Sequence, residues 1–130
     1  MGDVDFLAGF TVHQIAVGYD LRLVASANAE RVDANHIEVV MEGPCFVTGA
    51  DGSEHRIELS DPKTIPLLLA LQGRIITEAS AEEGTLRAVV DNGGALRVPP
   101  DAKYEAWRIE GPGDAGVVCM PGGETVSWEA

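Results

Sequence analysis

Residues 10–27 read Phe-Thr-Val-His-Gln-Ile-Ala-Val-Gly-Tyr-Asp-Leu-Arg-Leu-Val-Ala-Ser-Ala, two runs rich in apolar and β-branched residues on either side of Gly18-Tyr19-Asp20. In the second run Leu21, Leu23 and Ala25 alternate with Asp20, Arg22 and Val24, the two-residue period of a half-buried strand. Gly and Asp suit a tight turn, so the stretch predicts a β-hairpin with strands over Phe10 to Val17 and Leu21 to Ala27. The same alternation returns on both sides of a single helical candidate, which makes the chain mostly β.

Downstream, His36 to Glu42 places Ile37, Val39 and Met41 on one face, and Gly43-Pro44 breaks the strand before Cys45 to Thr48. Asp51-Gly52 tolerates positive φ and predicts a turn into Glu54 to Leu59, with Ile57 and Leu59 inward. A helix is predicted over about 64–72, where Ser60, Asp61 or Thr64 can cap it, Pro66 suits its first turn and Gly73 its stop. Its Leu67-Leu-Leu-Ala-Leu71 run offers no polar face, so it is expected to be buried as a plug against a sheet. Strands resume over Arg74 to Ala81, Thr85 to Val90 and Ala95 to Val98, with Asn92-Gly93-Gly94 as a turn. A last set follows over Tyr104 to Ile109, Val117 to Met120 and Thr125 to Trp128.

Gly18 to Pro62 and Gly73 to Pro100 share the order Gly, strand, Ala-Ser-Ala, strand, turn, strand and a Pro-containing stop. That echo predicts an α+β fold, mostly β, of two antiparallel meander units packed as a sandwich or roll around one short buried helix. At 130 residues the chain is expected to form one β-rich domain spanning 1–130.

Composition bounds the function. Against 21 Asp+Glu stand 9 Lys+Arg, a formal net charge of -12. Nucleic acids and anionic membrane surfaces need clustered cations to displace counterions, and no window of this chain holds such a cluster. A basic protein partner is the complementary expectation, although acids spread singly and as pairs such as Glu82-Glu83 also serve simply as a repulsive, solvated surface. The longest apolar run, Ile65 to Leu71, contains Pro66 and falls well short of the roughly 20 residues of a membrane span. Met1-Gly2-Asp3-Val4-Asp5 opens with acids where a secretory peptide carries Lys or Arg, so a cytoplasmic location is expected, with Cys45 and Cys119 as free thiols.

Chemistry concentrates near the C-terminus. Cys119 precedes Met120-Pro121-Gly122-Gly123, whose backbone N–H groups could form an anion-binding nest beside a thiolate. Against that, Val117-Val-Cys-Met reads as a hydrophobic strand in which cysteine is a small core side chain, and no His follows it. His13, His36 and His55 with Asp51 or Cys45 could supply a zinc set, but the histidines share no short ligand spacing and His13 and His36 fall in different strands, so neither a metal nor another cofactor is expected. Asp51-Gly-Ser-Glu54 lacks the trailing Glu of a calcium loop, and the Gly-Pro-Gly and Gly-Gly pairs lack the pattern of a nucleotide loop. Asp101, Glu105 and Glu110 lie near aromatic residues, as acid-rich sequences produce by chance.

The aromatic residues carry the stronger signal. If Tyr104 to Ile109 is a strand, Tyr104 and Arg108 lie on one face and Trp107 on the other, so one aromatic must reach the surface or rim. Tyr, Trp and Arg are the residue types that anchor protein interfaces. Tyr104, Trp107, Arg108, Trp128 and Cys119 therefore form the candidate binding patch, with Trp107 alternatively filling the core with its N–H satisfied.

The order Gly-x-x-Val-x-x-Ile-x-x-Gly-x-x-Leu-x-Leu over Gly9 to Leu23, the Pro-led Leu-rich helix, Tyr104-Glu-Ala-Trp107 and Cys119-Met-Pro-Gly-Gly-x-x-x-x-Trp128 resembles a family of small actinobacterial proteins of unknown function. The resemblance implies a shared fold and carries no catalytic residue. The functional expectation is a non-enzymatic intracellular interaction module, of immunity or regulatory type, presenting an acidic surface and an aromatic patch. The alternative is a small-molecule-binding or catalytic protein with a pocket near Cys119 and the Pro-Gly-Gly turn. Self-association into a homodimer through a strand edge or Trp128 is a third.

Overall fold

The computed structural model describes residues 4–129; residues 1–3, where the leader expectation falls, and residue 130 lie outside the described residues. Among the described residues eleven strands form two antiparallel sheets. They are β1 (Thr11–Val17), β2 (Leu21–Ser26), β3 (Ile37–Met41), β4 (Cys45–Thr48), β5 (Glu54–Ile57), β6 (Ile76–Glu82), β7 (Thr85–Val90), β8 (Ala95–Val98), β9 (Trp107–Glu110), β10 (Gly116–Cys119) and β11 (Thr125–Trp128). The first sheet has the order β1-β2-β3-β9-β10-β11, two three-stranded meanders joined where β3 pairs with β9; the second has the order β5-β4-β8-β7-β6. The fold is thus the mostly-β sandwich that the alternation predicts.

Its assembly differs from two facing copies of one unit. At Gly43-Pro44 the chain leaves the first sheet, so β4 and β5 join the second and pair with β8. Proline has no N–H for a ladder, and this break moves the chain between layers. The Gly18 to Pro62 segment is therefore divided between both sheets, while β6, β7 and β8 lie entirely in one. Gly9 to Val12 also exchange backbone hydrogen bonds with Gly73 to Ile76, for example Ile76 N to Phe10 O at 2.8 Å, and stitch the two layers along one side.

Inward residues follow the predicted parity: Leu21, Leu23 and Ala25, then Ile37, Val39 and Met41, then Trp107 and Ile109 all enter one core cluster with Val47, Ile57, Leu86, Leu96 and Val98 from the second sheet. The helix corrects the plug expectation. Pro62–Leu71 is a 3-10 helix with Pro66 inside it, and proline's missing N–H and ring bulk prevent an unbroken α-helical ladder there. With three residues per turn, Ile65, Leu68 and Leu71 align on one stripe against the core, whereas Leu67 and Leu69 face water. The caps also differ: Asp61 makes no side-chain cap bond, and the Thr64 hydroxyl donates to the Asp61 carbonyl at 2.7 Å instead. Among the described residues no helix is long and apolar enough to cross a membrane.

Candidate functional site

Register places the charged residues of the first sheet on its outer face. Across the pairs Arg22↔Val40 and Val40↔Arg108 runs one outward row, which continues into Val118 and Val126; Glu38↔Glu110, Glu110↔Gly116 and Gly116↔Trp128 form the next. Facing side chains on neighbouring strands lie close enough to interact, and here opposite charges sit diagonally. Arg22 donates to Glu38 at 2.8 Å and to Asp20 at 3.0 Å, while Arg108 donates to Glu110 at 2.6 Å and to Glu42 at 2.8 Å. The bonds from Glu38 and then Asp20 hold Arg22 more firmly charged than a free guanidinium, and the bond from Glu110 does the same for Arg108. Four carboxylates meet two guanidiniums, so the face keeps a negative excess.

Trp128 ends this face. Its indole N–H donates to the Asp114 carbonyl at 2.8 Å, its ring lies over Gly116, and 45% of the residue remains exposed, beside exposed Val126. A side chain on residue 116 would occupy the place of the ring, so glycine there lets the indole lie flat on the strand. Tyr104 lies outside the strand in which it was expected, because β9 begins at Trp107; its phenol rests against Gly43 and is half exposed. Partial burial, with the carboxylates of Asp101 and Glu42 nearby, raises the Tyr104 phenol above its ordinary range.

Two members of the expected patch turn inward. Trp107 is 0% exposed and its indole N–H donates to the Gly84 carbonyl at 2.9 Å; it fills the core, so it offers no contact surface. Cys119 is also fully buried, and its thiol donates to the same carbonyl at 3.3 Å. Burial raises the Cys119 thiol above its usual range and Cys45 to about 12, opposite to the depression a nucleophile needs. The Gly122 and Gly123 N–H groups are taken by Asp101 O at 2.8 Å and Met120 O at 2.9 Å. The Pro-Gly-Gly turn therefore offers those groups to no anion, and no ligand reaches the Cys119 sulfur.

The histidines are tied up locally and apart. His13 sits at the bulge of β1 with its Nε2 2.8 Å from the Asn28 carbonyl, His36 Nδ1 lies 2.7 Å from the Asp33 carbonyl, and His55 Nε2 lies 3.2 Å from the Ser53 hydroxyl. Among the described residues no three His, Cys, Asp or Glu side chains converge as metal ligands would.

Sequence reasoning missed a cleft of about 340 Å³ at the end of the sandwich where the β1–β2 turn, the Gly43-Pro44 crossover and the Glu58 to Ser60 link meet Tyr104. Tyr19, Glu42 and Glu58 join Tyr104 around its mouth. The available signal was Tyr19 itself, an aromatic ring on a Gly-x-Asp turn, which packing leaves bare.

Fold and site together define a small antiparallel β-sandwich with a charge-laddered outer face and an inward-turned tryptophan and cysteine. The chain belongs to a family of unknown function, DUF6188, whose model matches residues 4–129. No curated protein and no solved structure matches it.

Proposed function

We propose that this chain is a non-enzymatic intracellular protein-interaction module that receives a basic partner on the outer face of its first sheet, with Tyr104, Arg108 and Trp128 as contact residues. The observation that carries the reading is the exposed Trp128–Val126 strip running directly into the Arg108, Glu110 and Glu42 network. An aromatic anchor beside a polar, negatively biased rim is the composition of a protein contact surface. The net charge of -12 speeds encounter with a cationic protein and orients it. An immunity-type or regulatory protein that neutralises a basic target is one concrete form.

The full burial of Cys119, which raises its thiol rather than depressing it, favours this reading over a catalytic pocket at the Pro-Gly-Gly turn. Self-association has one supporting feature: β11, which carries Trp128, is a terminal strand of its sheet, with no strand beyond it among the described residues.

The test is affinity capture from lysate at low and high salt with wild-type, Tyr104→Ala and Trp128→Ala baits. A basic protein held at low salt, weakened at high salt and bound about tenfold more weakly by the Trp128→Ala bait, the scale of an interface anchor, is expected. Unchanged affinity for both variants would show that the patch is misplaced. Sedimentation across a dilution series separates a homodimer from a heteromeric partner.

A further inference from the structure

The cleft between Tyr19 and Tyr104 lies at the end of the sandwich, beside this outer face. Leu21 and Met41, a directly paired couple almost wholly buried, back it, and half-buried Pro44 and Leu59 give it an apolar wall. Tyr19, Tyr104, Glu42 and Glu58 also line it, with Glu58 paired to Arg56 at 3.4 Å; no Lys or Arg is among the lining residues. Tyr19 is fully exposed on its turn, and an aromatic ring left bare there contributes nothing to the core.

From this geometry we infer that the cleft receives an arginine side chain of the basic protein partner, its methylenes against Pro44 and Leu59 and its guanidinium beside the two tyrosines and Glu42. An apolar wall suits the aliphatic stem of a long cation. Tyrosine faces attract a cation within about 6 Å, and a planar guanidinium both stacks on a ring and pairs with a carboxylate through two N–H groups. Glu42 already accepts from Arg108 at 2.8 Å through Oε2, and its other oxygen has no hydrogen-bond partner among the described residues. A cleft of this size takes one side chain and falls at the small end of ligand pockets. Burial raises the Tyr104 phenol first and the carboxylates of Asp101 and Glu42 add to it; those carboxylates favour a cationic guest.

The inference rests on the proposed interaction function and specifies the partner group that this end of the face recognises. It is tested without the partner, by titrating N-acetyl-arginine amide into the isotope-labelled protein and following backbone amide shifts, with N-acetyl-norleucine amide as the uncharged control. Saturable shifts confined to Tyr19, Gly43, Leu59 and Tyr104 are expected for the arginine probe alone. Tyr19→Ala is expected to weaken binding about two- to fivefold, the range of one exposed cation–π contact. Glu42→Gln is expected to weaken it and to flatten its salt dependence. Because Tyr19 touches no core, an unchanged urea midpoint confirms that its variant folds.

Shifts scattered over the acidic surface, equal binding of the norleucine control, or undiminished binding by Tyr19→Ala would each overturn the inference. Its failure is distinguishable from failure of the interaction reading. A basic protein captured equally by wild type and Tyr19→Ala, but lost by Trp128→Ala, removes the cleft and leaves the face intact.

Discussion

Gly84→Ala is expected to destabilise this protein by about 3–5 kcal/mol, roughly two to three times the effect of the same exchange at Gly93. Glu83 and Gly84 have φ of 52° and 81° and form the two-residue turn between Glu82 and Thr85. Both positive angles belong to the hairpin turn that matches strand twist, and alanine at such an angle costs about 1–2 kcal/mol. Gly93, with φ of 88° and open space around it, carries only that cost. At Gly84 a Cβ would stand 2.5 Å from the Gly123 Cα and 2.6 Å from its carbonyl oxygen, so the β6–β7 and β10–β11 turns must separate. Forced overpacking adds about 1–3 kcal/mol. The Gly84 carbonyl also accepts the Trp107 indole N–H and the Cys119 thiol, and withdrawing it strands a buried donor at about 1–3 kcal/mol. These contributions overlap, because one movement relieves the clash and stretches the bonds, so their sum is an upper limit. Urea unfolding of wild type, Gly84→Ala and Gly93→Ala, with midpoints converted at a common m-value, measures the difference. Equal destabilisation by the two variants would refute the close approach of the turns and the role of Gly84 as a joint between sheets.

Two further outcomes follow from burial. Trp107→Ala should lose about 3–5 kcal/mol as a core truncation, while Trp128→Ala, which gives up only a partly buried ring, should lose about 1–2 kcal/mol; urea unfolding checks both, and reversed costs would reverse their assignment as core and rim. Cys45 is held as a neutral thiol up to about 12 by desolvation, whereas an unfolded thiol ionises near 8.5. The native state then keeps a proton that the unfolded state loses, so this contribution is fully present below about pH 8.5 and is lost as pH rises through the folded value. Stability should fall by up to about 1.4 kcal/mol per pH unit in that window, and the decline should be shallower in Cys45→Ala by unfolding at matched pH.

Strand positions and inward parity were legible because one buried sheet face imposes a two-residue period. Leu21, Leu23 and Ala25, or Ile37, Val39 and Met41, announce their direction without knowledge of their neighbours. The helix was located but misjudged: a Leu-rich run read without a period appears apolar on all sides, and only the 3-10 geometry around Pro66 separates Leu68 and Leu71 from Leu67 and Leu69. The candidate patch was partly legible for the same reason. Alternation says that Arg108 and Trp107 face opposite ways, and it does not say which of the two faces the core.

By itself, then, the sequence determined a mostly-β chain, its turns, its helix-forming segment and the acidic character of its surface, since each depends on neighbours a few positions apart or on composition. Tertiary structure decided that β4 crosses to the second sheet, that β9 docks on β3, and that Gly84 meets Trp107, Cys119 and Gly123 at one point. It also decided that Tyr19 and Tyr104, far apart along the chain, face one cleft. Pairing between distant strands depends on which hydrophobic faces close together most completely, and that is a property of the whole core that no local period encodes.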